Sequence, residues 1–161
     1  MGRYENAEVL QHAMKLEQMG AKVNVVDSKL CYVDFDLSGF KLQYVYNVNK
    51  NGNYFLERIR PYPLALKEFE SEQDIVDIIA IDVEQFKGAL KSHNIARFVD
   101  IARQLNLTLK KFEDLFLYYN IAGDQVEKAF DELKEFDQHI EEMKKDAERL
   151  YFKKNPDHLK D

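Results

Sequence analysis

Two arginines, Arg58 and Arg60, are the residues of this chain whose type and spacing most resemble a ligand site. They lie two positions apart in YFLERIRPYP, residues 54–63, where the alternation of side chains is typical of a β-strand. Because successive side chains of a strand point to opposite faces, we predict that both guanidinium groups share one face. Guanidinium groups bind carboxylates and phosphates, so the pair could hold a small anion beside Tyr32 and Tyr62.

An exposed ladder of ion pairs explains the same residues without a ligand. Asp34 and Asp36 alternate with apolar residues in LCYVDFDL, so both acids are predicted to point away from the core. On an antiparallel sheet with one wet face, such acids come within reach of cations on other strands, with Lys41 as a further candidate. The prolines around Tyr62 would then end an edge strand. The candidate sheet surface consists of Tyr32, Asp34, Asp36, Arg58, Arg60 and Tyr62.

The strongest periodic pattern lies late in the sequence. Apolar residues recur at spacings of three and four over about 28 residues, or about 42 Å of helix, as in a coiled-coil seam. Asp124, with Glu127 three residues later, is predicted to cap the start of this amphipathic helix. The seam predicts packing against the protein's own helices, or self-association, or docking of a protein partner. The candidate helix interface consists of Val126, Leu133, Phe136, Ile140, Met143 and Leu150.

The segment VDIARQLNLTLKKFEDLFL, residues 99–117, resembles a helix-turn-helix in its apolar spacing. We predict two short helices, 94–105 and 108–120, with a turn at Asn106. A weak DNA-binding regulator is therefore an alternative function. The acids on the second helix and the net charge of −6 argue against DNA binding, because negative charges repel the phosphates of DNA.

Other chemistry-bearing residues lack a ligand-like spacing. The histidines His12, His93, His139 and His158 are scattered, and no pair is spaced like a metal site. Cys31, the sole cysteine, alternates with apolar residues, so we expect it in the core. The sequence contains no glycine-rich phosphate loop and no serine elbow. We assign no catalytic residue, metal or cofactor, and enzymatic activity stays open, with a preference for none.

The elements that would position these residues begin with a helix and a sheet. Helical spacing over residues 4–19, ended by Gly20, predicts an N-terminal helix packed on an antiparallel meander of three or four strands. Ser38-Gly39 and Asn51-Gly52 are predicted hairpin turns. The strands are predicted in KVNVV, LCYVDFDL, FKLQYVYNVN and NYFLERIR.

After Pro63 the pattern is helical to the end of the sequence. A capping box beginning at Ser71 precedes an apolar stripe, and Asp82 beside that stripe is either a partly buried carboxylate or the cap of a second helix. The fold class is thus α+β, with a sheet module in residues 1–63 and a helical module in 64–161. We expect the two modules to share one core.

The composition limits the function classes. With 45% hydrophobic and 32% charged residues, the chain is expected to be globular rather than disordered. The longest apolar run, IVDIIAIDV, is too short to span a bilayer, and no signal sequence is evident, so we expect no membrane and a cytoplasmic location. The leading hypothesis is a small non-catalytic intracellular protein–protein interaction or regulatory module. Binding of a small anion, or an enzyme that uses Arg58 and Arg60, is the further alternative.

Overall fold

The computed structural model describes residues 2–49, 54–69 and 72–159. In these ranges a helix, four strands and three helices follow one another, which confirms the α+β prediction and the long late helix. The chain forms two compact units, Met1–Asp77 and Ile78–Asp161. None of the described helices has the length and hydropathy needed to cross a membrane. The elements are α1 (Gly2–Gln18), β1 (Ser28–Leu37), β2 (Phe40–Asn49), β3 (Tyr54–Arg60), β4 (Leu64–Phe69), α2 (Glu72–Ala89), α3 (Ile95–Tyr118) and α4 (Gly123–Lys145).

Helix α1 ends where the sequence predicts. Gly20 has a φ of +94°, a left-handed conformation that glycine adopts without a steric penalty. The N–H of Gly20 donates to the carbonyl of Glu17 (2.9 Å), and the N–H of Ala21 donates to the carbonyl of Leu16 (3.0 Å). These two bonds form a Schellman cap. The large apolar side chains described on α1 are exposed, so its packing on the sheet stays a prediction.

The four strands form one antiparallel meander in the order β1-β2-β3-β4. Ser38 and Gly39, with φ values of 57° and 96°, link β1 to β2 in the positive-φ conformation of a tight hairpin. The predicted turn at Asn51-Gly52 lies outside the described residues. Residues 61–63 link β3 to β4, and the Arg60-Pro61 peptide bond is cis.

Two strand predictions are wrong. Residues 21–27 form no strand although KVNVV alternates, because alternation does not by itself supply a pairing partner. Conversely, the segment directly after Pro63 is a strand and not a helix. This strand, β4, pairs with β3, although the sequence placed residues 64 onward in the helical module. The prolines therefore do not end an edge strand. They occupy the connection, where their missing N–H groups interrupt no ladder.

Helix α2 settles the choice for Asp82. The helix runs without a break from Glu72 to Ala89, so Asp82 is an interior residue and not a cap. Its side chain is buried, with 8% of the residue exposed. Ser71, the predicted cap of α2, lies outside the described residues. The predicted apolar stripe is buried at Ile75, Ile79, Val83 and Phe86, whereas Val76 is exposed.

Helix α3 is one continuous helix, so the predicted turn at Asn106 is wrong. The Nδ2 of Asn106 donates to the carbonyl oxygen of Ala102, one turn earlier, at 3.3 Å. An asparagine side chain that competes with the backbone often ends a helix, but here it bonds within the helix. The helix-turn-helix geometry expected of residues 99–117 is therefore not formed.

Helix α4 begins and ends differently from the prediction. Its cap residue is Ala122 and no side chain caps it, so Asp124 lies in the first turn, where its charge favours the helix N-terminus. The helix ends at Lys145, after 23 residues. Residues 146–159, which we call the tail, are not helical, and Leu150 lies in the tail rather than on the helix.

Candidate interaction surfaces

A β-bulge separates the two arginines of the candidate sheet surface. Arg58 lies opposite Tyr44 of β2, whereas Arg60 lies opposite Gln43. Ile59 is therefore the extra residue of β3. An extra residue shifts the alternation by one position, so Arg58 and Arg60 lie on opposite faces. The prediction that they share one face is wrong.

Arg58 belongs to the buried face of the sheet. The residue is 4% exposed, and Leu42 and Tyr44 on the adjacent strand are completely buried. The guanidinium carbon lies 5.2 Å from the centre of the Tyr62 ring. A planar, weakly hydrated guanidinium can be buried against an aromatic face in this way. Little of Arg58 is left open to a dissolved anion.

The opposite face of β1 and β2 carries polar pairs across the strands. Asp36 lies opposite Lys41, and Asp34 lies opposite Gln43. The ammonium of Lys41 and the amide of Gln43 donate to these carboxylates. The hydrogen bond from Lys41, and then that from the N–H of Gly39, lower the pKa of Asp36 below its usual 3.8. The acids thus pair with β2 rather than with the arginines.

The remaining members of the candidate sheet surface are divided between its faces. Tyr32, on the face of Asp34 and Asp36, is 69% exposed. Arg60 is exposed, and the register aligns it with Gln43 and Asp34 in one row across three strands. Tyr62 is half-buried in the β3–β4 connection. The exposed surface therefore consists of Tyr32, the two acids and Arg60, without Arg58 and its ring.

The candidate helix interface lies largely exposed on α4. The helix has no buried residue along its described length. Leu133 is 59% exposed, and Phe136 and Met143 are exposed as well. Val126 and Ile140 are half-buried, and Leu150 is exposed in the tail.

Helix α3 carries a second exposed apolar stripe that we did not predict as an interface. Its residues also recur at spacings of three and four. That spacing could have predicted one long amphipathic helix, but the helix-turn-helix hypothesis assigned it to two short helices. Val99 is the buried residue of this helix. The helical surface, as we define it, joins the exposed residues Phe98, Ile101, Leu105, Phe112 and Leu115 of α3 to Leu133, Phe136 and Met143 of α4.

A cluster that the sequence did not indicate joins the tail to α2. The ammonium of Lys153 donates to both carboxylate oxygens of Glu84 at 2.9 and 3.0 Å, and the hydroxyl of Tyr151 donates to Oε2 at 3.3 Å. Arg149 donates to the carbonyls of Tyr151 and Lys154 at 2.7 and 3.0 Å, which folds the tail. Tyr151 and Lys153 lie 67 and 69 residues from Glu84, so no local pattern could have found this Glu84 clamp.

The clamp shifts the titration of its members. The hydrogen bond from Lys153 lowers the pKa of Glu84 below its usual 4.5. The same bond raises the pKa of Lys153 above 10.5. Partial desolvation, and then the charge of Glu84, raise the pKa of Tyr151 above 10.0. The arrangement holds the tail by charge, and all three groups stay at the surface.

Comparison with known proteins does not assign these surfaces. No protein-family model, no curated protein and no solved structure matches the chain. Within the described ranges, no group of three or more His, Cys, Asp or Glu side chains is placed to hold a metal ion. Function is therefore inferred from the surfaces themselves.

Proposed function

We propose that the chain is a small non-catalytic protein–protein interaction module. The observation that supports this proposal is the helical surface: two long helices of the same unit leave regularly spaced Phe, Leu, Ile and Met side chains exposed. Single apolar residues on a surface are ordinary, but a row of them along a helix is typical of a site that a partner covers.

Covering this surface would contribute favourable free energy to binding. Burying the exposed half of a Leu or Phe side chain contributes about 1 kcal/mol. The eight residues of the helical surface thus offer several kcal/mol, against the cost of association. Arg97 and Lys111 on α3, and Glu132 and Asp137 on α4, border the stripes and would form the polar rim that interfaces usually have.

The proposal includes a cytoplasmic location. The sole cysteine, Cys31, is half-buried, and a fold without internal disulfides is compatible with a reducing compartment. The exposed acids and Tyr32 of the sheet surface are a secondary contact region in this proposal. Neither alternative function gains support, because the two arginines lie on opposite faces and α3 has no turn.

Affinity capture with matched variants tests the proposal. The full chain and the variants Leu133→Glu and Gln138→Glu are immobilised on separate supports. Each support is incubated with the same cell lysate, and the proteins that it retains are quantified by mass spectrometry. Leu133→Glu places a charge in the apolar stripe, whereas Gln138→Glu places the same charge elsewhere on α4. We expect the retained amount of a defined set of proteins to fall at least tenfold with Leu133→Glu and to stay unchanged with Gln138→Glu. Identical sets on all three forms would rule out the helical surface as the binding site.

A further inference from the structure

Building on the proposed function, we infer that the partner covering the helical surface is a second copy of this chain. In the arrangement that we propose, α4 of each copy packs antiparallel against α3 of the other. Such a contact is isologous, since each copy contributes the same two helices, and it closes as a dimer.

The two apolar stripes match in length and period. Spacings of three and four run from Phe98 to Leu115 on α3 and from Val126 to Met143 on α4, or about 26 Å of helix each. Aligned antiparallel over this length, every seam residue of α3 meets a seam residue of α4. The layers are Phe98 with Met143, Ile101 with Ile140, Leu105 with Phe136, Thr108 with Leu133, Phe112 with Ala129, and Leu115 with Val126.

Residue size and charge agree with this alignment. The large Phe112 meets the small Ala129, as interdigitating layers require. Beside the seam, Lys111 falls next to Glu132 on one flank, and Leu109 falls next to Phe130 on the other. Leu109 is 65% exposed in the single chain, so covering it is favourable.

The overall charge of the helices favours α3 against α4 over α4 against α4. Helix α4 has eight Asp and Glu and four Lys, a net charge of −4. Helix α3 has four Arg and Lys and three Asp and Glu, a net charge of +1. Two copies that met through α4 alone would therefore repel each other, whereas exchange of α3 and α4 brings unlike charges together.

The exposed area is also adequate for a dimer. The helical surface with Leu109 and Phe130 contains ten large apolar side chains that are about half exposed. Together they present on the order of 800 Å² per copy, which is the area that a standard interface buries on each partner.

The α3 and α4 helices of one chain could pair with each other in the same alignment, because the connection at residues 119–122 lies midway between the paired residues. In the single chain, however, the large apolar residues of the α3 stripe remain exposed, as do Leu133, Phe136 and Met143 of α4, while Val126, Ala129 and Ile140 are half-buried. One copy therefore leaves most of its own seam uncovered. In the dimer, α4 of each copy packs on α3 of the other and forms the same side-chain layers. Such an exchange of helices between copies is a low-cost route to a dimer.

A charge-reversal experiment distinguishes the two cases. The molar mass of the full chain and of the variants Lys111→Glu and Glu132→Lys is measured by light scattering over a range of concentrations. We expect the wild type to have twice the 19.0 kDa of one chain. Each single variant sets like charges together twice per dimer and should raise the dissociation constant about tenfold or more. Lys110→Glu and Asp131→Lys, with the same charge changes away from the seam, should dissociate like the wild type.

Mixing the two single variants gives the decisive result. In a mixed dimer, the two substituted side chains meet at one contact as an ion pair of reversed polarity. The native Lys111 and Glu132 meet at the other contact, so the mixture should dimerise like the wild type. A mixture that stays monomeric while the double variant dimerises places the pair within one chain and overturns the inference.

A wild type that is monomeric at every concentration overturns the inference too. In that case, partners still captured by the full chain and lost with Leu133→Glu would uphold the interaction proposal. The absence of such partners would end both the interaction proposal and the dimer.

Discussion

At the residue scale, Arg58 is a buried cation within the sheet. Its guanidinium lies over the ring of Tyr62, and its aliphatic stem lies on the face that contains Leu42 and Tyr44. A long side chain in such a place contributes packing as well as charge. Two residues later, Arg60 is exposed, because the bulge at Ile59 turns it to the opposite face.

The two arginines should therefore differ in their effect on stability. Arg58→Ala removes the stacked guanidinium and leaves a void, so we expect the free energy of unfolding to fall by about 2–3 kcal/mol. Arg60→Ala is the matched control, and its effect should stay within about 0.5 kcal/mol. Urea denaturation followed by circular dichroism measures both. Equal losses would show that the arginines share one environment, as the unbroken alternation predicts.

The Glu84 clamp should hold the tail within a window of pH. The folded pKa of Glu84 is depressed below 4.5, so its contribution is present above that pH and is lost as the pH falls through the folded value. The folded pKa of Lys153 is raised above 10.5, so its contribution is present below that pH and is lost as the pH rises through the folded value.

Nuclear magnetic resonance can follow both the titration and the tail. We expect the carboxyl carbon of Glu84 to titrate below 4.5. Heteronuclear NOE values of residues 149–155 should be high at about pH 6 and should fall once the pH lies below the folded pKa of Glu84 that the titration measures. Glu84→Gln should leave the tail mobile above and below that pKa. A tail that is equally ordered in this variant would show that other contacts hold it.

At the element scale, the continuity of α3 determines whether its apolar residues form one stripe. A turn at Asn106 would divide Phe98 and Leu105 from Phe112 and Leu115 and place the two halves on different axes. In one helix they lie along a single side, which is what a long partner helix can cover.

Two substitutions at Asn106 test this continuity. Asn106→Ala should preserve or raise stability by a few tenths of a kcal/mol, because alanine has the higher helix propensity. Asn106→Pro should cost about 3 kcal/mol, because proline removes a backbone hydrogen bond inside a helix. Thermal unfolding and the helical circular dichroism signal give both results. A protein that tolerates proline at this position would have a turn there.

Local patterns predicted the elements that depend on local rules. Strands β1, β2 and β3 follow from alternation and from the Ser38-Gly39 turn, and α1 follows from its spacing and from Gly20. Strand β4 was missed because LALKEF does not alternate and stands between prolines and a helix. The bulge at Ile59 was missed because it depends on which residues of β2 bond to β3. A cap at Asp124 was expected from the capping-box spacing to Glu127, although Ala122 is the cap residue.

At the scale of the whole molecule, each of the two compact units contributes a different kind of surface. The unit Met1–Asp77 contains the polar row of the sheet, and the unit Ile78–Asp161 contains the helical surface and the clamp. The sequence predicted the α4 part of the helical surface but not the α3 part, because the exposure of a side chain depends on what packs near it rather than on its spacing. That the modules share one core stays a prediction.

The nearest-neighbour order of the strands also bears on the rate of folding. Each described strand after β1 pairs with the strand before it, so the sheet closes short loops and has a low contact order, which favours rapid formation. The Glu84 clamp instead joins residues 69 positions apart, and closing that loop costs more entropy. The sheet is therefore expected to be formed in the transition state, while the clamp forms after it. Breaking the clamp should then accelerate unfolding and leave the folding rate nearly unchanged.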